Sequence, residues 1–351
     1  MNTPAPTPSS NGTNGSHGAL STRFSQRFSL RLPVALAPMA LASGGALSAA
    51  CAQAGALGLV GGGYGDLGWT RREYTLARQL GAAAQAEARI GCGFITWKLD
   101  EDASALDWLL DQADEALPRA LMLSFGDPRP YAARLQARRI PLICQVQRLE
   151  QVPQALEAGA EIIVAQGAEA GGHGMNSLNG RATFTLVPEL ADWLAAQSPS
   201  TLLLAAGGVA DGRGLAAALA LGADGALVGS RLWASAESLA PAGAKAQAQA
   251  STGDGTARSE VFDILRRKNW PAPYDFRALR NPLHRQWESR IEALRAAPEA
   301  ARATYDQGVA AGDFSAAHAT VGEAVGLIHD CPPAAELLQR MAEQAQTLRQ
   351  A

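Results

Sequence analysis

Two glycine turns and one histidine carry most of the chemical information in this 351-residue chain. The run Ala206-Gly207-Gly208 is followed by VADGRG, and Gly229-Ser230 is followed by RLWAS. Glycine lets backbone come close to an anion, and the free N–H groups at a helix start then bind it. Tight βα turns are the plain alternative for either run alone. A pair of such turns on successive strands points instead to a phosphate group. Neither matches GxGxxG, and the chain has no GK[ST] loop.

The histidine stands in Gln166-Gly167-Ala168-Glu169-Ala170-Gly171-Gly172-His173-Gly174. Its glycines predict a flexible loop that carries the imidazole over a strand end. Neutral imidazole accepts a proton from an acidic carbon near pH 7, so His173 is the candidate catalytic base. His17, His284, His318 and His329 are dispersed, and HxH, HExxH and CxxC are absent, so no metal cofactor is expected.

These residues need a scaffold. Short apolar runs at 34–37, 57–60, 89–95, 120–124, 141–145, 161–165, 201–205 and 225–228 show little alternation, as strands covered on both faces do. Helix-like stretches at 71–86, 103–116, 131–138, 151–158 and 214–221 lie between them. Eight βα units predict a (β/α)8 TIM barrel, with a doubly wound open sheet as the runner-up. In a barrel the loops APMA, GGGYGD, AQGAEAGGHG, AAGGVADGRG and VGSRLWAS all fall at one rim, where function gathers.

After strand 8 the pattern changes. Residues 31–239 are assigned to the barrel and 240–300, with KNWPAPYDFRALRNP, to a small, mainly helical inserted cap. Residues 301–351 form a C-terminal helical segment whose Leu337, Leu338 and Met341 pack back on the barrel. The first 30 residues, rich in Pro, Ser, Asn and Gly, read as a disordered tail. Arginines ahead of LPVALAPMALA mimic a secretory signal, but Pro33 and Pro38 interrupt the apolar run. No stretch is long enough for a membrane span. A net charge of −3 argues against nucleic acid as a partner. Four widely spaced cysteines argue against a disulfide framework, and a cytoplasmic location is expected.

The run LAAGGVADGRGLAAALALGADGALVGSR, with EAGGHG before it, APMA near the start and GEAVGLIHDCPPAAELL near the end, resembles the nitronate monooxygenase (2-nitropropane dioxygenase) family. The resemblance spans about residues 30–235 and then resumes. It implies FMN-dependent oxidation of alkyl nitronates, and of nitroalkanes, by O2 to a carbonyl compound and nitrite. It places Ala37, Pro38 and Met39 against the isoalloxazine ring and the FMN phosphate on Gly207, Gly208, Gly229 and Ser230. Ala165, Gln166 and Gly167 would approach the ribityl chain or ring. His173 matches the family's histidine, a base for nitroalkanes or a partner to the nitro group. The implied partners are a small substrate and O2, with a homodimer possible.

Three positions depart from the pattern. Gln145 stands where some relatives place a lysine facing the flavin, so it can hydrogen-bond the ring but supplies no charge. IGCGFIT lacks the expected asparagine, and Glu323 replaces a glutamine. Among blander residues, Trp69, Trp97, Trp193 and Trp233 suit core as well as pocket. Tyr64 and Asp66 suit a substrate gate or simple turn chemistry, and Cys92 and Cys144 read as inert fillers. Three other functions are compatible with the motifs. One is an NAD(P)H-dependent reductase of quinones or enoyl thioesters; another is a flavin-free phosphate-binding lyase or isomerase using His173. The third is a flavin-binding sensor without catalysis.

Overall fold

The computed structural model describes residues 20–350. Its strands in chain order begin β1 (Val34–Leu36), β2 (Gly58–Gly63), β3 (Ile90–Ile95), β4 (Leu121–Ser124), β5 (Leu142–Val146) and β6 (Ala160–Gln166). They continue with β7 (Gly172–Met175), β8 (Leu202–Ala206) and β9 (Gly225–Val228). All except β7 pair in parallel in the order β1-β9-β8-β6-β5-β4-β3-β2. The ends meet through a parallel bridge between Ala35 and Leu57, where the Leu36 N–H donates to Leu57 O at 2.8 Å. The result is a closed (β/α)8 barrel.

Alternation along each strand divides the core. Ile162 and Val164 of β6 point into the barrel, with Leu57, Met122, Ile143 and Leu204. Ile163 and Ala165 point outward, against the helix Thr183–Gln197 and its neighbours. Function is therefore left to the strand ends.

The tail expected through residue 30 is shorter. Residues 1–19 lie outside the described residues, but Arg23–Phe28 is a helix with a Thr22–Ser25 capping box. Phe24 and Phe28, one turn apart, are 0% and 1% exposed and pack beneath the barrel's interior residues. Each buried ring contributes about 1.5–3 kcal/mol. Averaging composition over 30 residues concealed this pair.

Beyond β9 the chain builds the cap. Strands β10 (Thr256–Ser259) and β11 (Tyr274–Leu279) are antiparallel, and β7 pairs with β11 to complete a three-stranded sheet. The histidine loop expected to be flexible is thus partly a strand, held on the cap. The expected cap boundary at 300 cuts the helix Glu299–Ala311, whose Ala301 and Tyr305 share a core with Phe262 and Phe276. The cap therefore runs past Ala311. The final helix, Ala334–Gln350, buries Leu337, Leu338 and Met341 with Leu47 and Leu215 of the barrel helices. Among the described residues, no helix is long and apolar enough to cross a membrane.

Candidate active site

One cavity of ≈ 840 Å³ opens at the C-terminal strand ends, beneath the cap. Ala37, Pro38, Met39, Gln145, Gln166, His173, Gly207, Gly208, Gly229 and Ser230 all line it. Ala165 and Gly167 do not. Ala165 faces the outer helices by strand alternation, and Gly167 is closed off by Thr183 and Glu169 packed over its Cα.

The two glycine turns lie on adjacent strands, β8 and β9. Gly207 and Gly208 have φ values of +99° and +79°, which side chains other than glycine adopt at a cost. A Cβ on Gly208 would meet nothing within 4 Å, so that position opens onto the cavity. Among the described residues, the N–H groups of Gly207, Gly208, Gly229 and Ser230 find no acceptor within the chain. Unpaired donors around a cavity suit an oxyanion such as a phosphate group. The helix start expected to assist after β8 is already taken. Asp211 accepts from the N–H groups of Arg213 and Gly214 at 2.9 and 3.2 Å, and the Gly212 N–H donates to Gln344. The unpaired donors that remain are those of the turns.

His173 lies on β7 directly opposite Phe276 of β11, with ring centroids 4.7 Å apart. Its ring also stacks on Trp270, centroids 3.4 Å apart and planes 11° from parallel. Nε2 is 3.0 Å from both carboxylate oxygens of Asp263. Nδ1 makes no hydrogen bond among the described residues. Burial lowers the His173 pKa well below 6.5, aided by Arg266 and Arg258. Burial also raises Asp263 to about 7, against the pull of Arg266 and Lys268. Both shifts run toward the uncharged forms, the direction that removal from water imposes. With Asp263 ionised, the Nε2–H donates to it, and Nδ1 keeps the free lone pair.

Glutamines tie this histidine to the barrel. Gln166 Oε1 accepts from Gln145 Nε2 at 3.0 Å and from Gln147 Nε2 at 2.8 Å, while Gln166 Nε2 donates to the His173 carbonyl at 3.0 Å. Gln145 therefore sits in a network at the barrel mouth. Two cap arginines fix the preceding loop. Arg258 donates to Ala170 O at 3.0 Å and Arg277 to Ala168 O at 3.1 Å. The departure at Glu323 has a local reason, because its carboxylate pairs with Arg277 at 3.0 Å. The same segment touches the loop so closely that a Cβ on Gly171 would lie 2.5 Å from Gly322 N.

Tyr64 lines the cavity, and its hydroxyl accepts from Trp270 Nε1 at 3.1 Å. Asp66 caps the helix Leu67–Ala83 instead, accepting from the Trp69 N–H at 2.6 Å. Trp233 also lines the cavity; Trp69, Trp97 and Trp193 do not. Burial pushes the thiols of Cys92 and Cys144 up to about 12, which leaves them unreactive at neutral pH. Asp263, Trp270, Arg266, Gln147 and His318 are site residues that sequence reasoning missed. A tryptophan between a basic run and two prolines, RRKNWPAP, was the available signal for Trp270.

The family model described as nitronate monooxygenase matches residues 21–344. A nitronate monooxygenase of Neurospora crassa is 30% identical over 339 residues, spanning 88% of each chain. Among solved structures, FabK from Thermotoga maritima superposes with a TM-score of 0.77 at 26% identity, covering 94% of this chain and 98% of that one. A nitroalkane oxidase from Streptomyces ansochromogenes gives 0.73 at 25% identity, covering 92% and 97%. A family match across almost the whole chain, and 30% identity over 88% of it, show that the chain belongs to the nitronate monooxygenase family of flavin-dependent oxidoreductases.

Proposed function

We propose that this protein oxidises alkyl nitronates with O2, giving a carbonyl compound and nitrite, with FMN in the cavity and His173 beside the substrate. One observation carries the reading: unpaired backbone donors and a carboxylate-held imidazole line the same cavity. The residues fit the cofactor. Gly207, Gly208, Gly229 and Ser230 would hold its phosphate, and the backbone of Ala37, Pro38 and Met39 would lie along its ring. Gln145 and Gln166 offer amide groups at the strand ends. When bound, FMN supplies the redox chemistry, taking electrons from the substrate and passing them to O2.

The chain's own contribution concerns one proton. Asp263 fixes His173 with its hydrogen on Nε2, so Nδ1 can accept the α-proton of a neutral nitroalkane. The imidazolium formed is then stabilised by the carboxylate. Burial makes His173 a weak base, however, and each unit of lowered pKa costs about 1.4 kcal/mol in that transfer. Nitronates have already lost this proton. The site therefore favours nitronates over nitroalkanes.

A second reading, an NAD(P)H-dependent flavin reductase acting on quinones or enoyl thioesters, draws support from the extent of the likeness to FabK. One experiment separates the two. Both readings predict a yellow purified protein. Anaerobic bleaching by propionate 3-nitronate alone, with oxygen uptake and nitrite release in air, supports the first; bleaching by NAD(P)H alone supports the second. A colourless protein that gains no colour with FMN would defeat both.

A further inference from the structure

Three polar side chains surround Phe276 inside the cavity. His173 lies 4.7 Å from it, the Arg266 guanidinium stands 4.7 Å over its ring, and His318 is 5.8 Å away. The reaction as argued uses only the first.

Arg266 lines the cavity with its side chain 14% exposed. Its Nη1 is buried without a hydrogen-bond partner among the described residues. The nearest carboxylate oxygen, on Asp263, is 3.7 Å from Nη1, beyond hydrogen-bond reach. A cation removed from water with unfilled donors is costly unless something else satisfies it. His318 also lines the cavity. Its Nδ1 is 2.6 Å from the Tyr305 hydroxyl, and the two rings stack at 24°. Burial, with Arg266 and His173 nearby, holds His318 down to about 3, while burial pushes Tyr305 up to about 12. Tyr305 therefore keeps its proton and donates to Nδ1. The ring hydrogen is left on Nε2, which has no acceptor among the described residues.

One cation with an unfilled donor and one neutral N–H donor thus face the same cavity. Lys268, 4.2 Å from the centre of the Tyr64 ring, adds a second positive charge. A guanidinium presents its donors in a plane, matched to two oxygens that share one charge. We propose that Arg266 and His318 form an oxyanion subsite that grips the two oxygens of the substrate's nitronate group. The substrate class rests on the reaction argued above; the subsite rests on these side chains. Arg266 and His318 then orient the substrate, while His173 handles the proton.

Nitrate, a planar oxyanion of similar shape, is the probe. Calorimetric titration of the full-length, flavin-loaded protein is expected to show nitrate binding that competes with nitronate. Arg266→Gln should weaken it about 10- to 100-fold, and His318→Phe about 2- to 10-fold, as loss of a charged and a neutral hydrogen bond would do. Absorbance of the bound flavin reports that each variant is folded. If Arg266→Gln does not hold flavin, His318→Phe decides alone, because its ring preserves the packing between Phe276 and Tyr305. No nitrate binding to the wild type, or unchanged affinity in the folded variants, overturns the subsite. Nitronate turnover is measured alongside. Turnover without nitrate binding removes the subsite and leaves the reaction standing; nitrate binding without turnover does the reverse.

Discussion

His173 and Asp263 form a buried pair in which a single ring nitrogen lies 3.0 Å from both carboxylate oxygens. When ionised, the carboxylate holds the ring hydrogen on Nε2 and leaves the Nδ1 lone pair free. Replacing Asp263 by Asn removes that hold without removing the imidazole. Turnover of neutral nitroalkanes should fall about 100-fold or more, the scale of a lost general base. Turnover of preformed nitronates should fall less than about tenfold, since no proton is abstracted. Steady-state rates on paired nitroalkane and nitronate substrates, at equal flavin content, check this.

The same pair sets a pH dependence. Burial pushes the Asp263 carboxyl up to about 7 in the folded chain. Below that pH the protonated carboxyl donates to Nε2, and the ring hydrogen moves to Nδ1, where the base was. Nitroalkane turnover should therefore drop as pH falls through about 7. In the Asn variant that limb should disappear from the pH–rate profile.

Stability should move in the opposite sense. A carboxyl raised from 3.8 to about 7 on folding contributes stability that is complete below pH 3.8 and lost as pH rises through about 7. The full loss is at most about 4 kcal/mol. Melting temperatures of wild type and Asp263→Asn, compared from pH 5 to 8, should diverge in favour of the variant at the upper end. Parallel curves would show that the buried charge is compensated.

Gly208 has φ +79° and faces open cavity. Alanine there incurs about 1–2 kcal/mol of backbone strain and puts a methyl group into the anion cradle. FMN affinity of the Gly208→Ala apoprotein, followed by fluorescence titration, should weaken at least tenfold. An unchanged affinity would place the phosphate elsewhere.

Phe24, fully buried beneath the barrel, should matter for folding alone. Phe24→Ala is expected to cost about 3–5 kcal/mol in denaturant unfolding. KM for nitronate should stay unchanged, because the site lies at the opposite end of the strands.

The barrel was legible because its strands are continuous apolar runs separated by glycine-marked turns. The runs at 225–228 and 161–165, for example, fall on β9 and within β6. The glycine turns were legible for the same local reason. Asp263, Trp270 and Arg266 were not, because the pairing of β11 with β7 brings them to His173 across about a hundred residues of chain. No periodicity encodes that pairing. The helix start after β8 was not legible for a subtler reason: Asp211, which caps it, also consumes the N–H groups expected to bind phosphate.

The strand that carries His173 is β7. Its backbone joins the roof's sheet through Phe276, Asp275 and Tyr274, so His173 is anchored to the roof as much as to the barrel. Prising the roof away would withdraw the imidazole in the same motion that admits bulk water. On the proposed reaction, a partly opened enzyme would lose the base that nitroalkanes need just as its reacting centre becomes wet.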